Sequence, residues 1–87
     1  MHANDYTEFR EKLERSYSWP ALYMFKFIVS SDKEEEITNL FPKNEVKLKS
    51  SKTGKYISLT AEIMIGTADQ VIVIYKKAHT IEGLIAL

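Results

Sequence analysis

The sequence predicts an α+β protein: a four-stranded antiparallel sheet, connected βαββαβ, behind an additional N-terminal helix. Three observations predict it. Ile57, Leu59, Ala61 and Ile63 alternate with Tyr56, Ser58, Thr60 and Glu62, the period of a strand with one polar face. Thr67-Ala68-Asp69-Gln70 is a Thr-x-x-Gln capping box that opens a helix. Tyr6, Phe9, Leu13 and Tyr17 recur at spacings of three, four and four, which makes one apolar stripe on a 3.6-residue period.

The leading helix is expected from Asp5 to about Tyr17, with Asn4 or Asp5 as its cap and Glu8 as the reciprocal partner of Asp5. Trp19-Pro20 ends it, because the residue before proline avoids the helical region. Residues Leu22 to Ser30 are aromatic and β-branched enough for a strand. Tyr23, Phe25, Phe27 and Val29 lie on one side of it, and Leu22, Met24, Lys26 and Ile28 on the other. Ser31 or Asp32 then caps a short helix reaching about Leu40, with Lys33, Ile37, Leu40 and Phe41 turned inward and Pro42-Lys43-Asn44 as its stop.

A second strand is expected over Glu45–Ser50, with Val46 and Leu48 inward and Lys47 and Lys49 outward. The Gly54-bearing turn at Ser51–Lys55 makes a hairpin with the third strand, which ends near Gly66. Val71-Ile72-Val73-Ile74-Tyr75 has strand propensity. It is read as helix because the capping box precedes it and Lys76-Lys77-Ala78-His79 follows, cations suiting the C-terminal dipole end. Leu84–Leu87 is the last short strand. Right-handed crossovers then place both core helices on one face of the sheet. This is the ferredoxin-like two-layer sandwich, and its second face is open. Residues 1–18 are the amphipathic helical extension and residues 19–87 the sandwich domain.

Composition narrows the function. The 87 residues contain 12 basic and 12 acidic side chains and no cysteine. A neutral chain argues against a dedicated nucleic-acid binder, which needs a basic face for counterion release. Absent cysteine rules out disulfides and thiolate metal sites and fits a reducing compartment. No stretch approaches the ~18 apolar residues of a membrane span. Met1–Tyr6 shows no charged region followed by an apolar one. A cytoplasmic protein without membrane association is expected.

No nucleophile–base arrangement or paired acid is legible. His2 and His79 lack metal-ligand spacing, and Glu34-Glu35-Glu36 cannot converge on a cation from consecutive helical positions. No catalytic residue, metal or cofactor is therefore expected. The open face is expected to carry Met24, Lys26, Ile28, Lys47, Lys49, Tyr56, Ser58, Thr60 and Glu62. Apolar residues within an exposed sheet mark an interface. The stripe Tyr6, Phe9, Leu13 and Tyr17 is expected to cover Met24 and Ile28, within one chain or across a dimer, with Tyr56 nearby. Lys47, Lys49, Lys52 and Lys55 offer a surface for an anion or an acidic partner, or protect an edge strand from mispairing. RNA-recognition modules stack bases on third-strand aromatics. Here Tyr56 alone qualifies.

Trp19-Pro20 with Phe25-Lys26-Phe27, Ser-Ser-Lys-x-Gly-x-Tyr-x-Ser-Leu-Thr at Ser50–Thr60, and Ile81-Glu82-Gly83 resemble the YbeD-like family of small bacterial proteins, which carry a domain of unknown function. The resemblance covers Trp19 to Leu87, and the hairpin is its most specific part. It implies a ferredoxin-like fold similar to ACT-type regulatory domains and supplies no catalytic residues. In ACT-type domains effectors sit near the loop after the first strand. That loop is here Ser30-Ser31-Asp32-Lys33, which lacks the glycine that permits close backbone approach. The expected function is a small non-enzymatic regulatory or protein-interaction module, binding a protein partner or itself. The alternative is an ACT-like sensor of amino-acid-type effectors, and a weak nucleic-acid binder ranks third.

Overall fold

A computed structural model describes residues 6–87. The elements follow in the expected order: α1 (Thr7–Ser16), β1 (Ala21–Ser30), a 3₁₀ turn (Ser31–Lys33), α2 (Glu34–Thr38), β2 (Lys47–Ser50), β3 (Tyr56–Ile65), α3 (Ala68–Ala78) and β4 (Ile85–Ala86). The strands form one sheet in the order β2-β3-β1-β4, with every neighbouring pair antiparallel. This is the ferredoxin-like α+β sandwich. Its two central strands are ten residues each, while β2 has four and β4 two. Short edges limit the unpaired backbone offered to another chain.

Alternation sets the faces. Phe25, Phe27, Val29, Ile57, Leu59 and Ala61 are buried on one side of the sheet. Ile37 and Phe41 cover them from α2 and the turn after it, and Ala68, Val71, Ile72 and Ala78 from α3. Aromatic rings tie the layers together: Tyr75 of α3 lies 5.5 Å from Phe25 and 5.6 Å from Phe27, and Phe41 lies 5.4 Å from Phe25. The Tyr23 and Tyr75 hydroxyls are hydrogen-bonded at 3.1 Å. Burial, reinforced by that bond, raises the Tyr23 phenol above its ordinary value.

The β-branched run 71–75 is helical, as its cap requires. The Thr67 hydroxyl accepts from the Gln70 amide at 3.3 Å. The Gln70 side chain reaches back to the Gly66 amide at 2.8 Å, one residue before the usual capping-box partner. Tertiary burial of Val71 and Ile72 outweighs their strand propensity. Thr67→Ala is expected to cost about 1 kcal/mol of stability, measured by urea denaturation. A change below about 0.2 kcal/mol would mean the cap holds nothing, since even the weaker peptide hosts register several tenths.

Several boundaries differ from expectation. Of the capping residues foreseen for α1, Asn4 and Asp5 lie outside the described residues, and Tyr6 stands at the N-cap without a side-chain bond. The helix foreseen from Ser31 to Leu40 is a 3₁₀ turn followed by the five-residue α2. Neither Ser31 nor Asp32 caps it. The Ser31 hydroxyl donates to the Gly54 carbonyl across the fold, and the Asp32 carboxylate accepts from Ser30. Short polar side chains that find such partners compete with helical geometry. The Ser30 bond also holds the Asp32 carboxyl below its ordinary value.

Candidate functional site

Strand register builds the open face residue by residue. Leu22 pairs with Met64, Met24 with Glu62, Lys26 with Thr60, Ile28 with Ser58 and Ser30 with Tyr56. On the far side of β3, Lys47 pairs with Thr60 and Lys49 with Ser58. On the far side of β1, Ile85 pairs with Ile28. Leu87 follows on the same side by alternation, its amide donating to the Lys26 carbonyl at 2.9 Å. Directly paired residues share a face, so all these side chains project away from the helices.

The exposed apolar side chains are distributed unevenly. Leu22, Met24, Tyr56, Met64, Ile85 and Leu87 are all more than half exposed, and all stand on the open face. Elsewhere among the described residues only Tyr17, Leu48 and Val73 are exposed large hydrophobics, and they lie apart on α1's C-terminal flank, β2 and α3. Scattered apolar residues are ordinary on any surface, whereas a concentration on one face marks an interaction surface. A cleft of about 330 Å³ beside Met24 is lined by Glu45, Val46, Lys47, Thr60 and Glu62. A second of about 320 Å³, beside Tyr56, includes Ile28, Lys49 and Ser58.

The stripe on α1 does not cover this face. Leu13 is 3% exposed within the main core, and Phe9 makes an edge-on ring contact with Tyr75 at 5.3 Å. Tyr17 packs on Trp19 and Tyr23, at 5.3 and 5.4 Å. Lys76 sits over the Tyr6 ring at 5.5 Å, and Arg10 pairs with Asp69 at 2.7 Å. The helix therefore joins α3 in the helical layer, while Met24 stays 53% exposed on the opposite side. The physical reason is available area: α3, the buried Tyr23 and the partly buried Tyr75 form an apolar surface that an aromatic stripe covers, and the rings gain edge contacts there.

The four hairpin lysines divide. Lys47 and Lys49 stand on the open face with Lys26, whereas Lys52 and Lys55 belong to the exposed turn. That turn is fixed. The Ser51 amide donates to the Tyr56 carbonyl and the Gly54 amide to the Ser51 carbonyl, both at 2.9 Å. Gly54 takes φ 76°, a left-handed conformation natural to glycine. The Ser31 amide donates to the Lys55 carbonyl at 2.9 Å and its hydroxyl to Gly54. The loop after β1, where an ACT-type effector would sit, thus has its Ser31 donors committed to the hairpin. Sequence reasoning put Leu22 and Lys26 on this side of the sheet but did not include Met64, Ile85 and Leu87 in it. Alternation continued past Ile63 finds Met64, but only the pairing of β4 beside β1 places Ile85.

His79 is the C-cap of α3, its ring stacked on Tyr75 at 6.4 Å. His2 lies outside the described residues. Among the described residues no group of three His, Cys, Asp or Glu side chains could hold a metal ion, and no helix is long and apolar enough to cross a membrane.

A βαββαβ sandwich with one layer of helices and one bare sheet face is a ferredoxin-like domain. A family described as Protein of unknown function (DUF493) matches residues 14–87, and the chain belongs to that family. The YbeD-like proteins that the hairpin motif resembles are members of it. No curated protein and no solved structure matches the chain.

Proposed function

We propose that the protein is a small non-enzymatic regulatory module of the bacterial cytoplasm that acts by docking a protein partner on its open sheet face. The concentration of Leu22, Met24, Tyr56, Met64, Ile85 and Leu87 on that face supports the reading. Covering such a face releases apolar surface from water at about 25 cal/mol per Å², a driving force for association that catalysis does not need. The absence of cysteine from the sequence accords with a reducing compartment.

Photo-crosslinking in cells tests this. A benzophenone amino acid at Met24 is expected to give a discrete crosslinked species, and the same group at Val73, exposed on α3, is expected to give none. No crosslink from Met24, or equal yields from both positions, would refute the open face as the working surface.

A further inference from the structure

The open face is also patterned by charge. One end holds Leu22 opposite Met64 and Met24 opposite Glu62. The middle row has Thr60 flanked by Lys26 and Lys47. The other end has Ile28 between Ser58 and Ile85, with Lys49 beyond Ser58. Residues two apart on a strand are about 6.6 Å apart, so Met24 and Ile28 stand about 13 Å apart with a lysine between them. Neighbouring strands are about 4.8 Å apart, which sets Lys26 and Lys47 about 10 Å apart across Thr60.

Among the described residues, none of Lys26, Lys47 and Lys49 forms an ion pair. The ion pairs among the described residues are Arg10–Asp69 and Lys33–Glu36, both on the helical side of the fold. A carboxylate laid over Thr60 would lie within reach of two flexible ammonium groups and the threonine hydroxyl, a charge-assisted arrangement. Glu45 and Glu62 share the cleft beside Met24 with Lys47 and Thr60; they disfavour an acid within that cleft, which leaves the Ile28 side of the row, towards Lys49.

We propose that the partner is an amphipathic protein segment whose apolar stripe is interrupted by an acidic residue, seated over the Lys26–Thr60–Lys47 row between two apolar anchors. This rests on the protein-docking reading above and adds the partner's chemistry. A second copy of the chain fits less well. Face-to-face pairing about a two-fold axis along the strands, or across them over Thr60, lays one middle row on the other. Both copies' Lys26 and Lys47 would then share a row that contains no acid. A single-stranded nucleic acid would find one aromatic platform, Tyr56, where stacking supplies most of the sequence-tolerant affinity.

The test is selection of a phage-displayed random 16-residue peptide library on the immobilised full chain, with the Met24→Glu/Met64→Glu variant as counter-selector. Both residues are more than half exposed, and unchanged melting of the variant verifies its fold. The expected outcome is peptides with Asp or Glu between apolar residues. They bind wild type at least tenfold more tightly than the Lys26→Glu/Lys47→Glu variant and equally to Lys52→Glu. Replacing the peptide's acid with lysine reverses the preference between wild type and the Lys26→Glu/Lys47→Glu variant.

Peptides that need Met24 and Met64 but show no acid preference would overturn the partner chemistry and leave the docking reading intact. Failure to select any peptide that discriminates the counter-selector would overturn both. Two further results would also overturn the partner assignment. One is a wild-type dimer at micromolar concentration that Met24→Glu/Met64→Glu dissociates. The other is Tyr56-dependent binding of a 16-nucleotide oligothymidylate more tightly than the selected peptides.

Discussion

Phe25→Ala is expected to lower the free energy of unfolding by about 3–5 kcal/mol. The Phe25 side chain is fully buried, and its ring lies 4.8 Å from Tyr23, 5.4 Å from Phe41 and 5.5 Å from Tyr75. Truncation removes the transfer free energy of the ring and leaves a cavity whose walls come from β1, α3 and the turn after α2. Those walls belong to different elements and close only partly. A chain of this length has roughly 4–13 kcal/mol of total stability, so the substitution removes a large share of it. Urea denaturation monitored by circular dichroism measures the loss. Met24→Ala, on the same strand but facing outward, is expected to change stability by less than about 0.5 kcal/mol. A Phe25→Ala loss under about 1 kcal/mol would contradict the packing of the two layers around this ring.

Leu13→Ala is expected to cost about 2–5 kcal/mol, a core-sized effect from a helix that lies outside the βαββαβ pattern. Leu13 is 3% exposed and belongs to the same buried cluster as Phe25 and Val71. The location of the response separates the two possible seats for α1. In methyl and aromatic NMR spectra, signals of Tyr23, Tyr75 and Val71 should move, while those of Met24 and Ile28 should not. Large changes at Met24 and Ile28 would return the helix to the open face. The surface pair Arg10–Asp69 is expected to add little to this attachment, because exposed ion pairs contribute about 0–1 kcal/mol.

The sheet was legible because its long strands obey simple alternation. Tyr56–Ile63 and Tyr23–Val29 assign their faces without reference to anything else, and the register agrees. The helix at 68–78 was legible through Thr67 and Gln70, two polar residues that overrule five with strand propensity. The seat of α1 was not legible. An apolar stripe states that a helix must be buried but not against what, and two apolar surfaces competed for it. Ring contacts between Phe9 and Tyr75 and between Tyr17 and Tyr23 depend on residues far apart in the chain. The short α2 segment failed for another reason: Ser31 finds its partners at Gly54 and Lys55, a tertiary contact that no local capping rule anticipates. The open face was foreseen from β1 and β3, while its completion by Ile85 and Leu87 required the position of β4.

Those bonds from Ser31 to the hairpin have a consequence for how quickly and how tightly the partner proposed above would be held. A free five-residue loop would have to be ordered at the moment of capture, at an entropic cost of about 1–2 kcal/mol per residue fixed. Here the chain has met that cost during folding, because the turn is fastened to the start of the first crossover. Lys52 and Lys55 are consequently carried on a turn that is already ordered, and Lys47 and Lys49 are held by their pairing with β3, so neither backbone would have to rearrange for the acidic segment proposed above. Only lysine side-chain freedom remains to be lost, which favours a rigid-body encounter over one gated by loop closure.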